Sequence, residues 1–125
     1  MVIAGFYAGI LALIYVVLTC RVVGYRIANR VLFGDGGSED MTRRIRAHGN
    51  FIEYVPLALI LMGILDTQLA SPGLLHVLGI ALVASRVLHA IGVLYTVIPA
   101  RIIGMVLTLA VIGVEAVLTI THYIL

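Results

Sequence analysis

The chain has 125 residues, 62% of them hydrophobic and 11% charged, with a mean hydropathy of +1.18. A soluble domain carries about a quarter charged residues, so the composition excludes one and identifies an integral membrane protein. All eight basic residues are arginine, and a pI near 9.0 in so apolar a chain reflects membrane topology rather than nucleic-acid binding.

Four apolar segments follow one another. The first covers residues 2–20 without a charge and continues as helix to about Asn29, enough for the roughly 20 residues that cross a bilayer. No basic stretch precedes it and it exceeds the about 7–15 apolar residues of a secretory leader, so it reads as a retained helix. Within it, Gly5 and Gly9 form a small-residue pair at the spacing that lets helices approach closely, as do Ala81 and Ser85 further on. Residues 34–40 form the one plainly polar loop, punctuated by Gly34, Gly36 and Gly37. The second segment, residues 47–65, is interrupted only by His48, Asn50 and Glu53. A short turn over residues 66–71 follows, without an arginine.

The third segment runs from about Pro72, a good first-turn residue, to Ile98, with Arg86 and His89 in its second half. Pro99 opens the last, which contains Glu115. Lipid forbids open strand edges and none of these runs alternates like a barrel strand. The fold class is therefore all-α, a four-transmembrane-helix bundle, and residues 1–125 are one domain without internal repeats.

Arg26, Arg30, Arg43, Arg44 and Arg46 flank the first loop and Arg101 lies just past the third, whereas the second loop and both ends have no arginine. The positive-inside rule then places loops one and three in the cytoplasm and both termini on the far side. In that topology the polar residues of all four helices gather in the cytoplasmic half.

On a helix, positions 46, 50 and 53 fall within an arc of about 60°, while His48 lies roughly 200° round from Arg46. Arg46, Asn50 and Glu53 thus present a donor fork, an amide and a carboxylate in one column, suited to a small molecule carrying carboxylate and ammonium groups. The competing account is an intramembrane polar network in which Glu53 pairs with an arginine and holds the bundle together. Arg43 and Arg44 read as anchors at the lipid headgroups, and Arg101 as either a snorkelling anchor or a site residue. His89 reads more readily as a packed polar core residue than as a catalyst. Glu115 is expected as a neutral carboxyl hydrogen-bonded within the bundle. Cys20 cannot form an internal disulfide, and with no Cys/His cluster at ligand spacing no metal is expected.

Three blocks in order, Arg46-Ala47-His48-Gly49-Asn50-Phe51-Ile52-Glu53-Tyr54-Val55-Pro56, Arg86-Val87-Leu88-His89 and Pro99-Ala100-Arg101, resemble the signature blocks of the MAPEG family, the membrane-associated proteins in eicosanoid and glutathione metabolism. The Gly34-Asp35-Gly36-Gly37 loop is similar to that of a bacterial inner-membrane branch. The resemblance implies a homotrimer that binds glutathione as cosubstrate in clefts between neighbouring subunits, open to the cytoplasm. It implies that Arg46, Asn50 and Glu53 hold the glutathione backbone, Glu53 taking the ammonium and Arg46 a carboxylate. His48 matches a position that is also polar in the family, Tyr54 of the same block would join the binding residues, Arg26 or Arg30 would give a second carboxylate contact, and Arg86 and His89 would line the cleft. Arg101 would stabilise the thiolate, which would attack an apolar electrophile or a lipid hydroperoxide drawn from the membrane lipids. The chain departs from eicosanoid-forming relatives at Val93, where they have a tyrosine; Tyr95, about 200° away on a helix, does not substitute for it. The alternative reading is a non-catalytic protein of the same fold that binds a lipid or an anionic metabolite.

Overall fold

The computed structural model describes residues 1–68 and 70–124. Four helices run in chain order: α1 (Val2–Asn29), α2 (Glu39–Thr67), α3 (Pro72–Leu94) and α4 (Ile98–Ile124). Each is long and apolar enough to cross a membrane.

The ends differ from the sequence expectation at two places, each for a local chemical reason. Helix α2 begins at Glu39, well before the apolar run that opens at Ala47, because Ser38 Oγ accepts the Met41 amide at 3.2 Å and so caps the first turn. Glu39 and Asp40 suit the positive end of the helix dipole and pair with Arg43 at 3.8 Å and Arg44 at 3.0 Å, one turn on. The charged turn that looked like loop is therefore a helical extension of the span. At the other boundary α3 stops at Leu94 instead of Ile98. Tyr95 N–H bonds the Ile91 carbonyl, Thr96 takes a left-handed φ of 59°, and Val97 N–H reaches back to the Gly92 carbonyl, which is the hydrogen-bond pattern of a helix stop.

Helices α2 and α3 are central. Helices α1 and α4 each pack on both of them but not on each other among the described residues, and their spans are only 22% buried, against 39% for α2 and 50% for α3. Large apolar side chains such as Leu13, Val17, Ile103 and Val117 face outward, as a helix surrounded by lipid requires. Lipid gives no hydrophobic drive for helix association, so close van der Waals approach must hold the bundle. Glycine supplies it where α3 meets α4. A Cβ on Gly104 would lie 2.7 Å from the Ser85 carbonyl oxygen, and one on Gly92 would strike the Arg101 backbone. Gly5 and Gly9, by contrast, have nothing within 4 Å, so the pair anticipated on α1 makes no close approach among the described residues of the chain.

At the end remote from the arginines, Asp66 Oδ2 accepts the Ala4 amide at 2.9 Å and closes the start of α1. Beside it the Tyr7 hydroxyl stands 2.9 Å from His76 Nδ1, its ring lying on Gly79.

Candidate functional site

The three-residue column of α2 divides in two. Arg46 Nη2 lies 3.8 Å from Glu53 Oε1, and these side chains are 58% and 53% exposed. A long ion pair at that exposure contributes a few tenths of a kcal/mol at most, so either partner is available to a ligand. Asn50 stands between them in sequence but is turned inward and buried, its Oδ1 accepting from Arg86 Nη2 at 2.7 Å. An arc of about 60° spans the edge of the buried face, which is why one member points in while two point out.

Arg86 is 1% exposed. Its Nη1 donates to Thr108 Oγ1 at 3.3 Å, its Nη2 also approaches His89 Nδ1 at 3.4 Å, and its guanidinium lies 5.7 Å from the Phe51 ring centroid. Thr108 Oγ1 in turn lies 2.9 Å from Ser85 Oγ and 2.8 Å from the Gly104 carbonyl oxygen, and Ser85 donates to Leu82 at 2.7 Å. The buried cation is thus held by neutral acceptors and an aromatic face. One expectation holds and one changes here. Glu53 pairs with an arginine as expected, namely Arg46, whereas Arg86, expected on the cleft wall, sits behind Asn50 and His89, which do line it.

Two clefts meet at Arg101. The first, about 460 Å³, opens at the arginine-rich end between the start of α2 and the α3–α4 turn, with Asp35, Glu39, Arg46, Val93 and Arg101 among its walls. The second, about 280 Å³, is lined by Asn50, His89 and Arg101 together with Ile102, Met105 and Val106. Arg101 reaches both because it lies in the first turn of α4, whose backbone rests directly on Gly92 of α3. Val93 is buried in the first cleft's wall. Tyr95 is exposed, with the Arg21 guanidinium 5.8 Å from its ring centroid, and does not line the cleft that Val93 lines.

Other residues expected in the site lie apart from the clefts. His48 faces α1, where Nε2 meets Thr19 Oγ1 at 3.1 Å and the ring stacks on Tyr15 at 5.1 Å. Arg26 Nη1 donates to the Gly34 carbonyl at 2.9 Å and so clasps the first loop, while Arg30 adopts the left-handed conformation that ends α1, φ 55°. Tyr54 is half-buried on α2. Arg44, expected as a headgroup anchor, donates to the Arg21 carbonyl at 2.9 Å and lies 5.3 Å from the Tyr25 ring centroid, tying α2 to α1.

The first loop is built around Asp35. One carboxylate oxygen accepts the Gly37 amide at 2.8 Å and the other the Thr42 hydroxyl at 2.8 Å. These bonds, the Gly37 amide foremost, hold the carboxyl below its ordinary value. Gly36 and Gly37 take φ of 62° and 76°, conformations that side chains resist.

Thr108 was not expected from the sequence, and Ser85 was expected only as a small residue permitting close helix approach. The signal was the inward stripe Gly104, Thr108, Val111 and Glu115, which recurs at helical spacing on an otherwise apolar helix. Glu115 ends that stripe fully buried, and neither of its carboxylate oxygens has a hydrogen-bond partner among the described residues, so the expected bond within the bundle is not made.

The family profile described as MAPEG family matches residues 4–121. The chain is 37% identical over 90 residues to "Inner membrane protein YecN" of Escherichia coli K12, an alignment that covers 72% of this chain and 69% of that protein. The protein of the same name from Escherichia coli O6:H1 matches over the same shares.

Proposed function

The chain belongs to the MAPEG family, and from that premise we propose that it is a glutathione-dependent transferase or peroxidase of the bacterial inner membrane, working as a homotrimer with its arginine-rich end in the cytoplasm. The observation that carries the reading is the loose, half-exposed Arg46–Glu53 pair beside a second exposed arginine, Arg101. A ligand with both a carboxylate and an ammonium group exchanges that weak pair for two of its own. The carboxylate goes to Arg46, where a guanidinium fork matches it, and the ammonium to Glu53.

Arg101 then acts on the thiol. A free thiol of pKa about 8.5 is a few per cent ionised at neutral pH, and a fixed guanidinium raises that fraction. The proton leaves to water, and the thiolate forms a carbon–sulfur bond with an apolar electrophile while the displaced electron pair goes to the leaving group. With a lipid hydroperoxide the same thiolate takes the terminal oxygen, releasing the alcohol, and a second glutathione completes the reduction to disulfide and water. The apolar wall of Ile102, Met105 and Val106 beside Arg101 suits a substrate drawn from the bilayer.

The test is calorimetric titration of glutathione into the detergent-purified chain, with ultraviolet difference absorbance followed in parallel. Saturable binding with a thiolate band supports the reading. Binding without the band favours the non-catalytic alternative, for which the specific observation is Val93 in the cleft wall; no binding overturns the glutathione site.

A further inference from the structure

Arg86 is a donor without acceptors, and that fact propagates outward. An amide that meets a guanidinium must offer its oxygen, so Asn50, whose Oδ1 lies 2.7 Å from Arg86 Nη2, turns both Nδ2 hydrogens away from the arginine. An imidazole that meets it must offer a bare nitrogen, so His89, with Nδ1 3.4 Å from the same Nη2, carries its proton on Nε2. Asn50 and His89 line the cleft of about 280 Å³ beside α4, and the remaining polar side chain there is Arg101, also a pure donor. The other lining residues, Ile102, Met105 and Val106, offer no side-chain acceptor beyond a weak thioether sulfur.

We propose that Arg86 is a positioning residue that sets the hydrogen-bond polarity of this cleft, making every polar side chain on its wall a donor, so that the cleft takes an anionic, acceptor-only group and excludes cations and amide N–H groups. The inference deepens the glutathione reading, since that ligand brings two kinds of such anion, its carboxylates and its thiolate. Thr108 holds the arginine in place. It accepts from Arg86 Nη1, is fully buried, and spends its own proton on Ser85 Oγ or the Gly104 carbonyl, both within 2.9 Å.

The deciding measurement is nitrogen NMR of the imidazole rings in the full-length, ligand-free chain in detergent, with the His89 signals assigned from a His89→Phe spectrum. The Nε2–H tautomer is expected, and its Nδ1–H counterpart overturns the proposal whatever glutathione does. Thr108→Val is expected to mix the tautomers and Thr108→Ser to restore the single form, which a merely structural role for Thr108 would not produce; a wild-type tautomer ratio in Thr108→Val overturns the placing of Arg86 by Thr108. Asn50→Asp keeps an acceptor for Arg86 yet replaces the donors on the wall with carboxylate oxygen. Glutathione affinity should then fall about tenfold or more with the oligomer unchanged, and unaltered affinity overturns the donor wall. S-methylglutathione separates the two anions: if Asn50→Asp weakens it equally the cleft holds a carboxylate, and if only glutathione is weakened it holds the thiolate, either of which supports the proposal. An Nε2–H tautomer in a protein that binds no glutathione would leave the cleft's polarity standing and remove the functional reading alone.

Discussion

Arg46 and Glu53 stand two helical turns apart on α2, and their side chains meet at 3.8 Å across the position from which Asn50 turns inward to Arg86. The outer pair is weak and replaceable, whereas the inner contact is short and buried. The outer residues of the column are thus exposed and only loosely tied to each other, while Asn50 is fixed from behind by Arg86.

Removing one member of the outer pair should therefore spare the bundle and harm the ligand. Arg46→Ala and Glu53→Gln are each expected to reduce glutathione affinity at least about tenfold, near 1.4 kcal/mol, with the oligomer unchanged on size exclusion. Dissociation to monomers in either variant would show the pair to be structural and sink the site assignment.

Arg101 lies exposed at the meeting of both clefts and contributes to no ion pair among the described residues. Arg101→Ala should bind glutathione with little loss while the thiolate absorbance band disappears at neutral pH. A band of undiminished height would return this residue to the class of headgroup anchors.

The contact of α4 with α3 depends on backbone-to-backbone approach at Gly104. Gly104→Ala places a methyl group 2.7 Å from the Ser85 carbonyl oxygen, where no flexible side chain can yield, and is expected to cost about 1–3 kcal/mol. The thermal midpoint in detergent reports this directly. Gly5→Ala, with open space around it on α1, serves as the control and should leave the midpoint unlowered, any change being the small rise that alanine's helix propensity brings.

Acid should loosen the first loop. Asp35 lies outside the membrane-spanning segments, and its carboxyl is held below the ordinary value of 3.8 by the Gly37 amide first and the Thr42 hydroxyl second. A group depressed in the folded state contributes stability that is complete above its unfolded value and is lost as pH falls through the folded one. Hydrogen exchange at the Gly37 amide should thus accelerate, beyond its intrinsic pH dependence, as pH drops below 3.8. In Asp35→Asn, which does not ionise, that excess acceleration should vanish; if it persists in the variant, another group governs the loop.

Legibility differed from element to element. The four spans were plain because each must supply about 20 apolar residues to lipid, a requirement that composition alone reveals. The start of α2 was not plain, since its first turn is charged and depends on one capping hydroxyl, Ser38, that hydropathy does not register. The end of α3 was hidden for the opposite reason: Thr96 takes a left-handed turn that usually calls for glycine. Spacing correctly set Tyr95 apart from Val93 and His48 apart from Arg46, because angles along a single helix follow from its pitch.

What sequence by itself determined was everything local in character: the membrane class, the four helices, the helical phase of Arg46, Asn50 and Glu53, and the blocks that mark the family. Tertiary structure alone decided which of those residues face inward. Arg86 acquires its partners from α2 and α4, its contacts with Asn50 and Thr108 joining positions 36 and 22 residues away. A buried charge is satisfied by whatever the packing of other helices brings to it, and that packing is set by shape, here by glycine at Gly92 and Gly104, which no periodicity along one helix encodes.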